Sequence, residues 1–167
     1  MYFEKKNNVL VLSGSMGSSL INNYAIDTAL NMKQYQFTIV TGKKYYKDNQ
    51  EKIKSLKGEV NIIPFSNDVK KLMKESSLII SRCGSSTIFE IMGLEKPSIL
   101  IPSTYVSDNH QLLNSNVLKE KNQAVILYED ELSVNKLKEN IECIFQNDLT
   151  FSKQKFIIVL KGMTCFE

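Results

Sequence analysis

The chain has 167 residues, of which 43% are hydrophobic and 23% charged, and a formal net charge of +3. That is enough chain for one domain with a full core, in the proportions of an ordinary globular protein. The charge is too mild and too dispersed for a nucleic-acid stripe, and no apolar run approaches the roughly 20 residues that span a bilayer. Met1-Tyr2-Phe3-Glu4-Lys5-Lys6 lacks the apolar core of a signal peptide, so the expectation is a cytoplasmic protein. Three widely spaced cysteines, Cys83, Cys143 and Cys165, form no CxxC or Cys/His cluster. They read as free thiols and give no basis for a zinc site.

The elements alternate along the chain. Val9-Leu10-Val11-Leu12 is a short apolar run that ends in Ser13-Gly14-Ser15, as a buried parallel strand does. A helix is expected from Leu20 to about Met32, a strand over Phe37–Val40, and a lysine-rich surface helix from Lys43 to Leu56. Val60–Ile63 is a third strand, stopped by Pro64. Asn67 or Asp68 can cap a helix that runs to Glu75, because a short side-chain oxygen satisfies free N–H groups there. Leu78-Ile79-Ile80 is a fourth strand, followed by a turn and a short helix that stops near Gly93 and Pro97. Ser98–Ile101 is a fifth strand, Ser107 or Asp108 opens a helix to about Lys121, and Ala124–Leu127 is a sixth strand. Ser133 caps a last helix, Val134 to Phe145. Strands alternating with helices at intervals of about 20–30 residues predict an α/β fold with a doubly wound parallel sheet.

In open sheets of this kind, ligands bind beyond the carboxyl ends of the strands. Four loops fall there: Ser13–Ser19, Pro64–Asp68, Arg82–Thr87 and Pro102–His110. Gly14-x-x-Gly17 is neither a dinucleotide fingerprint nor a P-loop. It is a flexible turn at a helix start, able to approach phosphate or sugar closely. Ser81-Arg82-Cys83-Gly84-Ser85-Ser86-Thr87-Ile88-Phe89-Glu90-Ile91 is strand, small-residue turn and helix, with free N–H groups that favour an anion. Glu90 lies about a turn into that helix. A carboxylate there is badly placed for phosphate and well placed to accept bonds from a sugar diol. On a helix, His110 and Asn114 share a face beside Gln111, and amides suit sugar hydroxyls. His110 has no second acid or base beside it, so it is not assigned as a catalytic base. A Cys83–His110 nucleophilic pair is disfavoured.

These motifs resemble, in order, the MurG-like UDP-N-acetylglucosamine transferases of glycosyltransferase family 28. The resemblance rests on Gly14-Ser15-Met16-Gly17-Ser18, Phe65-Ser66-Asn67-Asp68-Val69, the Arg82-x-Gly84-x-x-Thr87-x-x-Glu90 pattern, Pro97, Pro102 and His110-Gln111-Leu112-Leu113-Asn114, and covers about residues 7–146. It implies one Rossmann-like domain of about six strands, the C-terminal, donor-binding half of a GT-B fold. The donor domain would occupy residues 1–148, with an atypical tail at 149–167 that contains the apolar run Phe156–Leu160.

The resemblance also implies roles. Glu90 would hold the ribose hydroxyls, the backbone at Phe65 and Ser66 the uracil, and Ser15 with the backbone of Ser86 and Thr87 the diphosphate. His110, Gln111 and Asn114 would read the N-acetylglucosamine hydroxyls, and Arg82 and Gly84 complete the implied donor-binding set. No catalytic residue is assigned to this half, and catalysis would be metal-independent, with no cofactor beyond the UDP-N-acetylglucosamine donor. The acceptor would be the lipid-linked N-acetylmuramyl peptide of peptidoglycan synthesis, held by an N-terminal acceptor half at the inner face of the cell membrane.

The first loop departs from the family, reading Ser13-Gly14-Ser15 where two glycines usually precede the serine. Two other readings stand beside the first. One is the donor-binding subunit of a split transferase of N-glycan or capsule type, with a separate membrane-bound partner. The other is a non-catalytic nucleotide-sugar sensor or a degenerate domain, and the joint presence of Glu90, Thr87 and Gln111 argues against decay.

Overall fold

The computed structural model describes residues 7–14, 16–103 and 124–146. The elements are β1 (Asn8–Leu12), α1 (Ser19–Asn31), β2 (Gln36–Val40), α2 (Lys43–Asp48), α3 (Gln50–Ser55), β3 (Asn61–Ile63) and α4 (Val69–Glu75). They continue with β4 (Leu78–Ser81), α5 (Ser85–Leu94), β5 (Ser98–Leu100), β6 (Ala124–Ile126), a 3-10 turn at Glu129–Glu131 and α6 (Val134–Gln146). The six strands form one sheet in the order β3-β2-β1-β4-β5-β6, every neighbouring pair parallel. The doubly wound sheet expected from the alternation is present.

Side chains alternate across a strand, and the sheet therefore builds two cores. Val9, Val11, Ile39, Leu78, Ile80 and Ile99 face one side, where Ile21, Ala25 and Ile26 of α1 and Leu137, Ile141 and Ile144 of α6 cover them. Leu10, Leu12, Ile79 and Leu100 face the other, against Met73 of α4 and Ile88 and Ile91 of α5. Apolar residues on both faces are what a helix-covered parallel sheet requires. The caps also follow the sequence: Asp68 accepts from the Lys71 amide at 2.9 Å, and Ser133 from the Lys136 amide at 3.2 Å.

One boundary differs from expectation. The helix expected over Lys43–Leu56 is two short helices, broken at Asn49 (φ −122, ψ 26). The Asn49 side-chain amide donates to the Tyr45 carbonyl at 2.9 Å, the local bond by which asparagine competes with a helix interior. α5 ends at Leu94, between Gly93 and Pro97 as expected, where the cap residue Glu95 takes the left-handed conformation (φ 50, ψ 40). Gly93 has open space around it and helical geometry. The helix expected after Ser107 or Asp108 and the tail at 149–167 lie outside the described residues.

Candidate functional site

The strand order reverses between β1 and β4. β1 leads outward to β2 and β3, and β4 leads the other way to β5 and β6. Leu12 is paired with Ser81, so the turns after these two strands leave the sheet side by side, about 4.8 Å apart at their roots. This is the switch point where such sheets hold ligands.

The first turn is held from behind. Its root is fixed where the Ser13 hydroxyl donates to the Val40 carbonyl at 3.0 Å. Gly14 (φ +88) and Gly17 (φ +79) both take left-handed conformations, and the Gly17 amide closes the turn onto the Gly14 carbonyl at 3.1 Å. Gly17 lies backbone to backbone against the start of the β2–α2 connection. A Cβ there would stand 2.5 Å from the Thr41 carbonyl oxygen, and one on Gly42 would stand 2.9 Å from the Gly17 Cα. Glycine takes this conformation without cost, and it alone allows the approach. Asn22, fully buried on α1, bolts the contact by donating its amide to the same Thr41 carbonyl at 3.0 Å. Ser18 caps α1, accepting from the Ile21 amide at 3.4 Å. Ser15 lies outside the described residues.

The second turn passes through Arg82, Cys83 and Gly84 into α5. Gly84 is the N-cap and has no side chain to satisfy the helix's first amides. The first intrahelical bond is Ile88 N–H to the Gly84 carbonyl, 3.0 Å. Neither α1 nor α5 carries an acidic residue in its first turn. Two helix starts thus converge with their positive ends uncompensated by carboxylates of their own, and an anion is favoured there. Ser86 is exposed and Thr87 half-buried. Glu90 is exposed farther along the same helix, clear of the helix start and open to solvent. Cys83 points into the core, fully buried beside Leu10, Ile79 and Ile88. Its thiol is therefore withdrawn from the turn it belongs to.

Arg82 does something the sequence did not suggest. Its guanidinium donates to the Ser18 hydroxyl at 2.9 Å and to the Ile101 carbonyl at 3.4 Å, and it pairs with the Glu129 carboxylate after β6. Both charged side chains are largely buried, 18% and 8% exposed. The Arg82 stem also runs beside the first turn, its Cγ 3.9 Å from where a Gly14 Cβ would stand.

The other two loops are placed in part. Phe65 follows β3 at the sheet edge, 55% exposed, with the Lys43 ammonium 5.0 Å from its ring centroid. Ser66 accepts from the Asp68 amide at 3.1 Å, which fixes the bend into α4. β3 is two strand spacings, about 10 Å, from β1. The Phe65 loop therefore flanks the paired turns on the α2 side rather than touching their roots. Pro102 and Ser103 follow β5 on the opposite flank, and His110, Gln111 and Asn114 lie outside the described residues. Large hydrophobics exposed among the described residues are Met16 and Leu20 at the first turn, Phe65 after β3, Phe89 on α5 and Tyr128 after β6.

A wide groove of about 940 Å³ opens elsewhere, between α1, α3 and the starts of β2 and β3, where Lys33, Tyr35, Lys54, Lys57 and Glu59 line it. It sits at the wrong end of the strands for a doubly wound sheet, and an exposed ion pair, Lys33–Glu59 at 3.1 Å, crosses it. Among the described residues no three His, Cys, Asp or Glu side chains cluster to hold a metal. None of their helices is long and apolar enough to cross a membrane.

Sequence reasoning missed Glu129, Asn22 and Gly42. A buried polar residue on the apolar face of α1 was a visible signal for Asn22. Glu129 had none, being 47 residues from Arg82 and embedded in Glu129-Asp130-Glu131.

Residues 8–158 match the model of the glycosyltransferase family 28 C-terminal domain. The chain is 36% identical over 154 residues to a Bacillus subtilis protein named UDP-N-acetylglucosamine–N-acetylmuramyl-(pentapeptide) pyrophosphoryl-undecaprenol N-acetylglucosamine transferase, covering 90% of this chain and 42% of that one. It is 38% identical over 160 residues to a protein of the same name from Alkaliphilus oremlandii, covering 93% and 43%. The chain therefore spans less than half the length of the curated relatives it matches. Among solved structures, Acinetobacter baumannii MurG shares the fold at a TM-score of 0.74 and 22% identity, over 89% of this chain and 44% of that one. A solution structure of ALG13 shares it at 0.55 and 16%, over 81% and 86%.

Proposed function

The chain belongs to glycosyltransferase family 28, whose C-terminal domain it carries, and from that premise we propose that it is the UDP-N-acetylglucosamine-binding half of an inverting transferase. The observation that carries the reading is the pairing of two carboxylate-free helix starts at the β1/β4 switch point, with Glu90 exposed beyond one of them. The amides at the starts of α1 and α5, with Ser15, Gly84, Ser86 and Thr87, cradle the diphosphate. Glu90 accepts from the ribose hydroxyls, and the Phe65–Ser66 backbone meets the uracil. His110, Gln111 and Asn114 read the sugar. Arg82 belongs to the wall of this cradle through its bonds to Ser18 and Glu129.

In the reaction proposed, an acceptor hydroxyl attacks the anomeric carbon as the bond to the diphosphate breaks, and the hydroxyl's proton passes to a base supplied by the acceptor half. The leaving diphosphate takes up charge where the α1 and α5 amides already point, so its stabilisation needs no rearrangement. The acceptor is a lipid-linked N-acetylmuramyl peptide, as the names of the relatives suggest, presented by an acceptor half at the membrane's inner face. Transfer needs two substrates held together, so this chain alone binds donor and turns over weakly.

Calorimetric titration with UDP-N-acetylglucosamine, against UDP-glucose and GDP-mannose, tests the reading. Selective binding supports it, and equal or absent binding defeats it. A second reading, a donor-binding subunit with a separate membrane partner, is favoured by one observation: this fold makes up 86% of the ALG13 chain. Co-purification of a membrane-bound acceptor subunit with the tagged chain would select it.

A further inference from the structure

We propose that Glu129 is a positioning residue for the diphosphate cradle, acting through Arg82; this rests on the donor-site reading above. The juxtaposition is specific. Arg82 leaves β4, yet its guanidinium meets the cap of α1, the end of β5 and the carboxylate that follows β6. One side chain thereby ties the first turn, the second turn and the far half of the sheet. Ser18 is the hinge of this tie. Its hydroxyl receives the Ile21 amide at 3.4 Å and the Arg82 guanidinium at the shorter 2.9 Å, so the seat of the α1 start is set as much by arginine as by the helix itself.

A cation at a helix N-terminus opposes the helix dipole, and a largely buried cation requires a partner. Glu129 supplies it. The carboxylate holds the guanidinium toward β6, aimed at Ser18 and Ile101, instead of leaving it to swing into the anion's place. The cradle is then lined by amides and hydroxyls at fixed positions, with the arginine behind them as a brace.

The sign of the effect separates this from plain electrostatics. Removing a negative charge near a diphosphate site should tighten diphosphate binding by simple Coulomb attraction. If Glu129 positions the cradle, its removal weakens binding instead. The experiment uses the full-length chain and its Glu129→Gln, Arg82→Ala and double variants, titrated with UDP and with uridine. Glu129→Gln should weaken UDP about tenfold, the equivalent of one ordered charge-assisted bond, and leave uridine unchanged. Arg82→Ala should lose at least as much, and adding Glu129→Gln to it should lose nothing further. Amide exchange at Ile21 and Asn22 should quicken about tenfold in Glu129→Gln, with the centres of α1 and α6 unaffected.

UDP binding that is unchanged or tighter in Glu129→Gln overturns the proposal, as does a parallel loss of uridine, which would mark general loosening. If the wild-type chain binds no UDP, the donor-site reading falls. The exchange measurement then decides the brace by itself, and unchanged exchange at Ile21 and Asn22 overturns it.

Discussion

Replacing Gly17 with alanine should cost the fold about 2–5 kcal/mol, a large share of the 5–15 kcal/mol that stabilises a typical domain. The magnitude comes from two sources. Gly17 has φ +79, and holding a Cβ-bearing residue in the left-handed region costs about 1–2 kcal/mol. The new Cβ would also stand 2.5 Å from the Thr41 carbonyl oxygen, with the Thr41 carbonyl carbon and the Gly42 Cα at 3.5 and 3.6 Å. The obstacle is backbone, so no flexible side chain can yield. Moving the carbonyl stretches its bond from the buried Asn22 amide, now 3.0 Å, and a buried donor left unpaired costs about 1–3 kcal/mol. Urea denaturation followed by circular dichroism measures the sum. Donor titration of the folded variant measures the displacement of the first turn, which should weaken UDP by about tenfold or more. A Gly17→Ala variant within about 0.5 kcal/mol of wild type, binding UDP equally, would refute the reasoning, because neither the strain nor the contact would then be real.

Three other substitutions probe separate parts of the account. Glu90→Ala should leave stability within about 0.5 kcal/mol, since the residue is exposed, and should weaken UDP-N-acetylglucosamine about tenfold in calorimetry. Lys96 donates to the carbonyls of Lys74 and Ser76 at 2.8 and 2.6 Å, where α4 ends. Lys96→Ala should destabilise by about 1–3 kcal/mol in urea without touching donor affinity. Tyr45 is buried and donates its hydroxyl to Asn23 at 2.6 Å, and burial first, then the Asp27 carboxylate, raises its pKa from 10.0. Its folded pKa lies above the unfolded value, so its contribution is whole below pH 10 and fades as pH rises through the folded value. Tyr45→Phe should therefore lose about 1 kcal/mol at pH 7, and that gap should narrow as the pH is raised beyond the usual tyrosine range in parallel urea titrations.

What the sequence displayed was governed by local, repeated chemistry. The runs Val9–Leu12 and Leu78–Ile80 announce buried strands because both faces of the sheet are covered. Asp68 and Ser133 announce helix starts because capping is a three-residue affair. The α2–α3 break was hidden because a lysine-rich surface segment has no apolar stripe whose interruption could show, and the break depends on one asparagine amide. The end of α5 was legible because Gly93 and Pro97 bracket it, and the helix stops between them at Leu94. At the site, the two turns were visible as small-residue clusters beside apolar runs. Their backing was not: the Gly17–Gly42 apposition and the Arg82–Glu129 pair join residues far apart in sequence, and no local pattern encodes either. The assignments of Ser15, His110, Gln111 and Asn114 rest on the family resemblance.

The most direct test of the central claim is to map amide chemical shifts of the labelled chain as UDP-N-acetylglucosamine is added. The largest shifts should fall on Gly14, Gly17, Gly84, Ser86, Thr87, Glu90 and the Phe65–Ser66 pair, along the carboxyl ends of β1, β3 and β4. Shifts centred on Lys33, Lys54 and Lys57 in the groove at the opposite ends of the strands would contradict it.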